Sequence, residues 1–97
     1  MAERRIRIML VDDHEVVRMG LRTLMGKRKE FTVVGEAADV AEAVATARRA
    51  EPDVIIMDIR LPDGTGIEAC REIRNERPET KVIMLTSYAD DEAVYGS

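Results

Sequence analysis

The stretch Val54-Ile55-Ile56-Met57-Asp58-Ile59-Arg60-Leu61-Pro62-Asp63-Gly64-Thr65-Gly66 decides how the chain is read. An apolar run of mostly branched side chains leads straight into a carboxylate, and a Pro/Gly-rich loop follows at once. Apolar residues without alternation suit a central parallel strand covered by helices on both faces. Ligands bind at the carboxyl ends of the strands in such a sheet, and Asp58 stands at that end. Two other strand-like runs finish alike: Ile6 to Val11 leads into Asp12-Asp13, and Lys81 to Leu85 into Thr86-Ser87. A lone aspartate is most simply a strand or turn cap. Three carboxylates and two hydroxyls delivered to one sheet edge read as one site.

Between these runs the pattern turns helical. From His14 to Met25, Val17, Leu21, Leu24 and Met25 recur at helical spacing, and Gly26 is a plausible stop. Gly20 within that helix is expected to permit close packing. Phe31 to Gly35 reads as a further strand. Asp39-Val40-Ala41-Glu42 has capping-box spacing, with Val40, Ala43, Val44 and Ala47 on one face, and Glu51-Pro52 ends that helix. Thr65-Gly66-Ile67-Glu68 repeats the capping-box pattern and opens a helix expected to turn Ile67, Cys70 and Ile73 inward, ending at Arg77-Pro78. Asp90-Asp91-Glu92 has the acidic first turn of another helix. Strands alternating with helices predict an α/β domain with a parallel sheet and right-handed crossovers.

Ninety-seven residues suffice for one core. A net charge of -4 argues against direct nucleic acid contact by this segment. The basic runs Arg4-Arg5 and Lys27-Arg28-Lys29 read as solvated surface. The single cysteine, Cys70, permits no internal disulfide and reads as a core thiol. With no apolar run of membrane-spanning length and no signal segment, a cytoplasmic protein without membrane contact is expected.

The carboxylates specify the chemistry. Asp12 and Asp13 are adjacent, so at most one reaches squarely into a cleft shared with Asp58. Ionised carboxylates gathered there disfavour one another, and a hard cation is the simplest relief. Carboxylates with a carbonyl and waters match Mg2+; zinc would want His or Cys, and only His14 is near. A carboxylate beside Mg2+ can attack phosphorus and form an aspartyl phosphate. The Thr86 hydroxyl is then either a partner for a phosphoryl oxygen or a plain strand-end residue.

The acidic pair after the first strand, the Asp58-to-Gly66 segment and Thr86-Ser87-Tyr88 after the fourth together resemble a bacterial two-component response-regulator receiver domain. Leu-Val-Asp-Asp-His-Glu-Val-Val-Arg and Val-Val-Gly-Glu-Ala are most similar to the NarL/FixJ type, whose output domains are LuxR-type. The resemblance implies a flavodoxin-like doubly wound sheet of strand order 2-1-3-4-5. It further implies that Asp58 accepts phosphate from a sensor histidine kinase. Asp13, Asp58 and the backbone carbonyl of Arg60 would bind Mg2+ directly, and Asp12 through water. Thr86 would sense the phosphoryl group, while Arg60 and Tyr88 would tune its lifetime. His14 reads as a solvent-exposed rim residue.

The family pattern continues through a fifth strand ending in a catalytic lysine, a fifth helix and a DNA-binding output domain. None is read in these residues. The expectation is therefore a receiver domain over residues 1–97, truncated before the fifth strand, with the lysine absent. An open fourth-strand edge would then favour a homodimer, an edge-strand assembly or a swapped oligomer. Val16 and Met19 of the first helix would also lose cover. The protein is expected to be no enzyme beyond its own phosphorylation and dephosphorylation. The main rival is a phosphatase-like α/β enzyme forming an aspartyl phosphate, but its second acid would fall at Arg60. A cobalamin-binding module is countered by Val17, where its motif needs glycine.

Overall fold

The apolar runs assemble into a parallel sheet that brings their carboxyl ends to one edge. In the computed structural model, which describes residues 4–85, β1 (Ile6–Val11) leads to α1 (Glu15–Gly26), β2 (Phe31–Ala37), α2 (Val40–Ala50) and β3 (Val54–Asp58). A short antiparallel pair, β4 (Arg60–Leu61) and β5 (Gly64–Thr65), precedes α3 (Gly66–Glu76) and β6 (Lys81–Leu85). The four long strands are parallel in the order β2-β1-β3-β6, the doubly wound order expected. Val11 pairs with Met57 and Asp58 with Leu85, so the ends of β1, β3 and β6 are level.

Successive strand residues face opposite sides of a sheet, and the core divides accordingly. Met9, Val11, Ile55 and Met57 pack with Ala43, Val44 and Ala47 of α2 and Ala69 and Ile73 of α3. On the other face Ile8, Leu10 and Ile56 meet Leu21 and Met25 of α1. Fully buried Met9, Leu10, Ile55 and Met57 each contribute roughly 1.5–3 kcal/mol of transfer free energy. This two-sided burial explains why β1 and β3 lack alternation.

Several local details differ from the sequence reading. In α1 only Leu21 and Met25 of the apolar face are partly covered; Val17 and Leu24 stay exposed, as do Val16 and Met19. Among the described residues nothing packs close to Gly20, and the space beside it is open. The helix runs through Gly26 and is capped at Lys27. In α3 the inward residues are Gly66, Ala69 and Ile73. Gly66 seats the first turn on the sheet, which swings Ile67 outward and leaves Cys70 in a half-buried groove beside Met84. The box at Thr65 and Glu68 is complete, whereas at α2 Asp39 caps Glu42 but Glu42 reaches back to the Ala38 N–H. Glu51 closes α2 in a left-handed conformation (φ 50°), consistent with the bar on helical geometry before proline.

The basic residues Arg4, Arg5, Lys27, Arg28 and Lys29 are exposed and line one hollow at the amino ends of β1 and β2. Among the described residues β6 is an edge strand, with Ile83 half exposed, and no helix is long and apolar enough to cross a membrane. Thr86, Ser87, Tyr88 and the helix expected from Asp90 lie outside the described residues.

Candidate functional site

Asp12 follows β1 directly, and its N–H donates to the Ala37 carbonyl (3.0 Å), which fixes it at the sheet edge. Asp58 is the last residue of β3. Both are buried, whereas Asp13 keeps about a third of its side chain in solvent. The adjacent aspartates thus divide as expected, one reaching in and one standing at the rim. Oxygens of Asp12, Asp13 and Asp58 and a ring nitrogen of His14 all lie within 4.8 Å of one another.

Burial pushes the Asp58 carboxyl above the ordinary carboxylate range. The backbone N–H of Arg60, donating to Asp58 Oδ1 at 3.4 Å, opposes this, while the charges of Asp12 and Asp13 add to it. His14 is exposed, as the sequence implies, but its ring is engaged. Nδ1 lies 2.9 Å from Asp12 Oδ1 and 3.1 Å from Asp13 Oδ1, and the His14 backbone N–H donates to the same Asp12 oxygen at 2.8 Å. The hydrogen bond to Asp12, then the charge of Asp13, raises the imidazole pKa. The spacing Asp-x-His at a helix start, where a carboxylate can accept from the N–H two residues on, was the available signal for this contact.

Two supports were not foreseen. Arg18 donates to the Asp12 carbonyl at 2.5 Å and pairs with Glu36 (3.3 Å), tying α1 to the loop that carries the acidic pair. On the other side, the Gly66 N–H donates to the Ile59 carbonyl (2.6 Å), and a Cβ at position 66 would collide with the Asp58 carbonyl oxygen. Only glycine lets α3 start this close to the acid.

The donor set suits a hard cation: three carboxylates are crowded at a partly buried edge, and the His14 ring nitrogen beside them is already held by two of them. Mg2+ fits this chemistry.

A parallel sheet of this order with an acidic cluster at its carboxyl edge defines a class. Residues 8–96 match the family model of the response regulator receiver domain, and the chain belongs to that family, the phosphorylation-dependent switch unit of two-component systems. It is 53% identical over 89 residues to the DNA-binding transcriptional activator DevR/DosR of Mycobacterium tuberculosis, covering 92% of this chain and 41% of that one. It is 42% identical to the response regulator protein VraR of Staphylococcus aureus, covering 93% and 43%. The chain therefore spans less than half the length of either regulator. Among solved structures, it is similar to a LuxR-family two-component response regulator from Aurantimonas (TM-score 0.80, 45% identity, covering 84% of this chain and 59% of that one). It also resembles the receiver domain of the response regulator NarL from M. tuberculosis (TM-score 0.82, 28% identity, covering 89% and 69%). These relatives agree with the NarL/FixJ wording of the sequence.

Proposed function

We propose that Asp58 is the phosphoacceptor of a sensor histidine kinase and that the resulting aspartyl phosphate controls a DNA-binding output domain of the full-length, cytoplasmic regulator. The observation that carries this reading is the pair of buried strand-end aspartates, Asp12 and Asp58, with Asp13 and His14 within 4.8 Å. In this reading one carboxylate oxygen of Asp58 forms a bond to phosphorus as the bond to the donor breaks. Asp13, Asp58 and the Arg60 carbonyl would hold Mg2+ directly, and Asp12 would hold it through water. Mg2+ when bound neutralises carboxylate charge and that of the incoming phosphoryl oxygens. The Arg60 N–H anchors the carboxylate on its backbone side. Thr86 senses the phosphoryl group, Arg60 and Tyr88 tune its lifetime, and hydrolysis resets the switch. The same reading makes the chain a signalling module whose chemistry is confined to its own carboxylate.

Acetyl phosphate provides the test. Intact-mass analysis is expected to show an added phosphoryl group on the wild-type chain with Mg2+, a much smaller yield with chelator, and none on Asp58→Ala. Equal labelling of Asp58→Ala would overturn the assignment.

A further inference from the structure

We propose that Asp63 is a positioning residue for this site: by fastening the tip of the β4–β5 hairpin to the start of α2, it holds the Arg60 backbone where the Asp58 carboxylate needs it. The inference rests on the functional reading above only for what the hairpin serves.

The hairpin is tied at its base through the Gly66-to-Ile59 bond and the Arg60 N–H on Asp58, and Leu61 is buried in the core. Its tip, Pro62-Asp63, is exposed. There Asp63 Oδ1 accepts from the Val40 N–H (2.7 Å) and Oδ2 from the Ala41 N–H (3.1 Å). Both are first-turn N–H groups that have no partner within the helix, and the positive end of the helix dipole favours the carboxylate. These bonds, Val40 first, hold the Asp63 carboxyl below its ordinary range. A second contact shows how tightly the tip is seated: a Cβ on Gly64 would stand 3.3 Å from Val40 Cγ2.

Asp39 already caps this helix by accepting from the Glu42 N–H at 2.7 Å. Asp63 is thus a second carboxylate at one helix start, supplied from another element. Its distinct effect is to join the loop after Asp58 to α2, which follows β2 by two residues, and the last residue of β2, Ala37, accepts from the Asp12 N–H. The two arms of the acidic site are braced through one helix end.

The pair Asp63→Ala and Asp39→Ala separates positioning from plain helix capping. Both remove a cap of α2, but only the first releases the hairpin. Mg2+ affinity by calorimetry and hydrogen exchange at the Arg60 and Gly66 N–H groups are measured where each variant is folded. Asp63→Ala is expected to lose about tenfold in Mg2+ affinity, as supporting residues of metal sites do, and to speed exchange at both amides. Asp63→Asn, which keeps an acceptor oxygen for Val40, is expected to fall between. Asp39→Ala is expected to lower the melting temperature while leaving Mg2+ affinity and hairpin exchange at wild-type values. Equal effects of the two alanine variants, or unchanged hairpin exchange in Asp63→Ala, would overturn the proposal. If the wild-type chain binds no Mg2+, the functional reading fails, and the exchange comparison still decides whether Asp63 holds the hairpin. Should Asp63→Ala not fold, Asp63→Asn carries both measurements, and wild-type values for it would overturn the proposal.

Discussion

Replacing Asp58 by Asn is expected to stabilise the metal-free protein, although it removes the reactive group. Asparagine matches aspartate in shape and keeps an oxygen to accept the Arg60 N–H, so the change is mainly one of charge. The Asp12, Asp13 and Asp58 oxygens lie within 4.8 Å of one another. At that separation and an effective dielectric near 20, each like-charge pair costs about 3.5 kcal/mol. Asp58 faces two such pairs, but the exposure of Asp13 and the nearby imidazole screen much of this. The expected net relief is about 1–3 kcal/mol, or roughly 4–24 °C in melting temperature for a domain of this size. The pH dependence fixes the sign independently. Because burial and its neighbours raise the folded pKa of Asp58, the folded state binds more protons than the unfolded state between the two pKa values. Stability contributed by the protonated group is full below the unfolded value and is lost as pH rises through the folded value. Thermal unfolding followed by circular dichroism at low salt, with chelator or with Mg2+, reads all of this. Wild type is expected to melt below Asp58→Asn in chelator near neutral pH and to gain more from Mg2+, by about 2.7 kcal/mol at a hundredfold excess over Kd. An Asp58→Asn protein that melts lower than wild type in chelator, or gains equally from Mg2+, would refute the reasoning.

Thr80→Val tests a buried polar contact beneath the sheet. The Thr80 hydroxyl, fully buried, donates to the Pro52 carbonyl at 3.1 Å, and its loss is expected to cost about 1–3 kcal/mol in denaturant unfolding without changing Mg2+ affinity. Gly66→Ala forces a Cβ against the Asp58 carbonyl, so it is expected to lower stability by about 1–3 kcal/mol and weaken Mg2+ binding in the same calorimetric assay.

What was legible in the sequence followed from periodicity. Unalternated runs at Ile6 and Val54 marked strands paired on both sides, the run at Lys81 marked a strand that among the described residues lies at the edge, and the acids placed after the first two identified the sheet edge that gathers the carboxylates. The capping pattern at Thr65 gave the start of α3 to the residue. Less legible was anything set by tertiary contact. Ile67 fits an inward helical face as well as Ala69 does, and only the seating of Gly66 on Asp58 decides between them. Gly20 looked like a packing device, yet the space beside it is open among the described residues, and a glycine in a helix carries no signal of which face it lies on. The bond from Arg18 to the Asp12 carbonyl depends on how α1 leaves the sheet, which no spacing rule reports; the His14 contact had only the local Asp-x-His spacing to signal it. Asp63 reads as an ordinary turn residue until α2 is seen against it.

The central claim is that the phosphoryl group resides on Asp58, and the bond itself can be located. An acyl phosphate is reduced by borohydride to an alcohol, which converts the modified aspartate into homoserine. Treating the phosphorylated chain in this way and mapping its peptides by mass spectrometry is expected to place homoserine at position 58 alone, and only when Mg2+ accompanied the phosphodonor. Homoserine at position 12 or 13, or label that resists reduction because it sits on His14, would contradict the account.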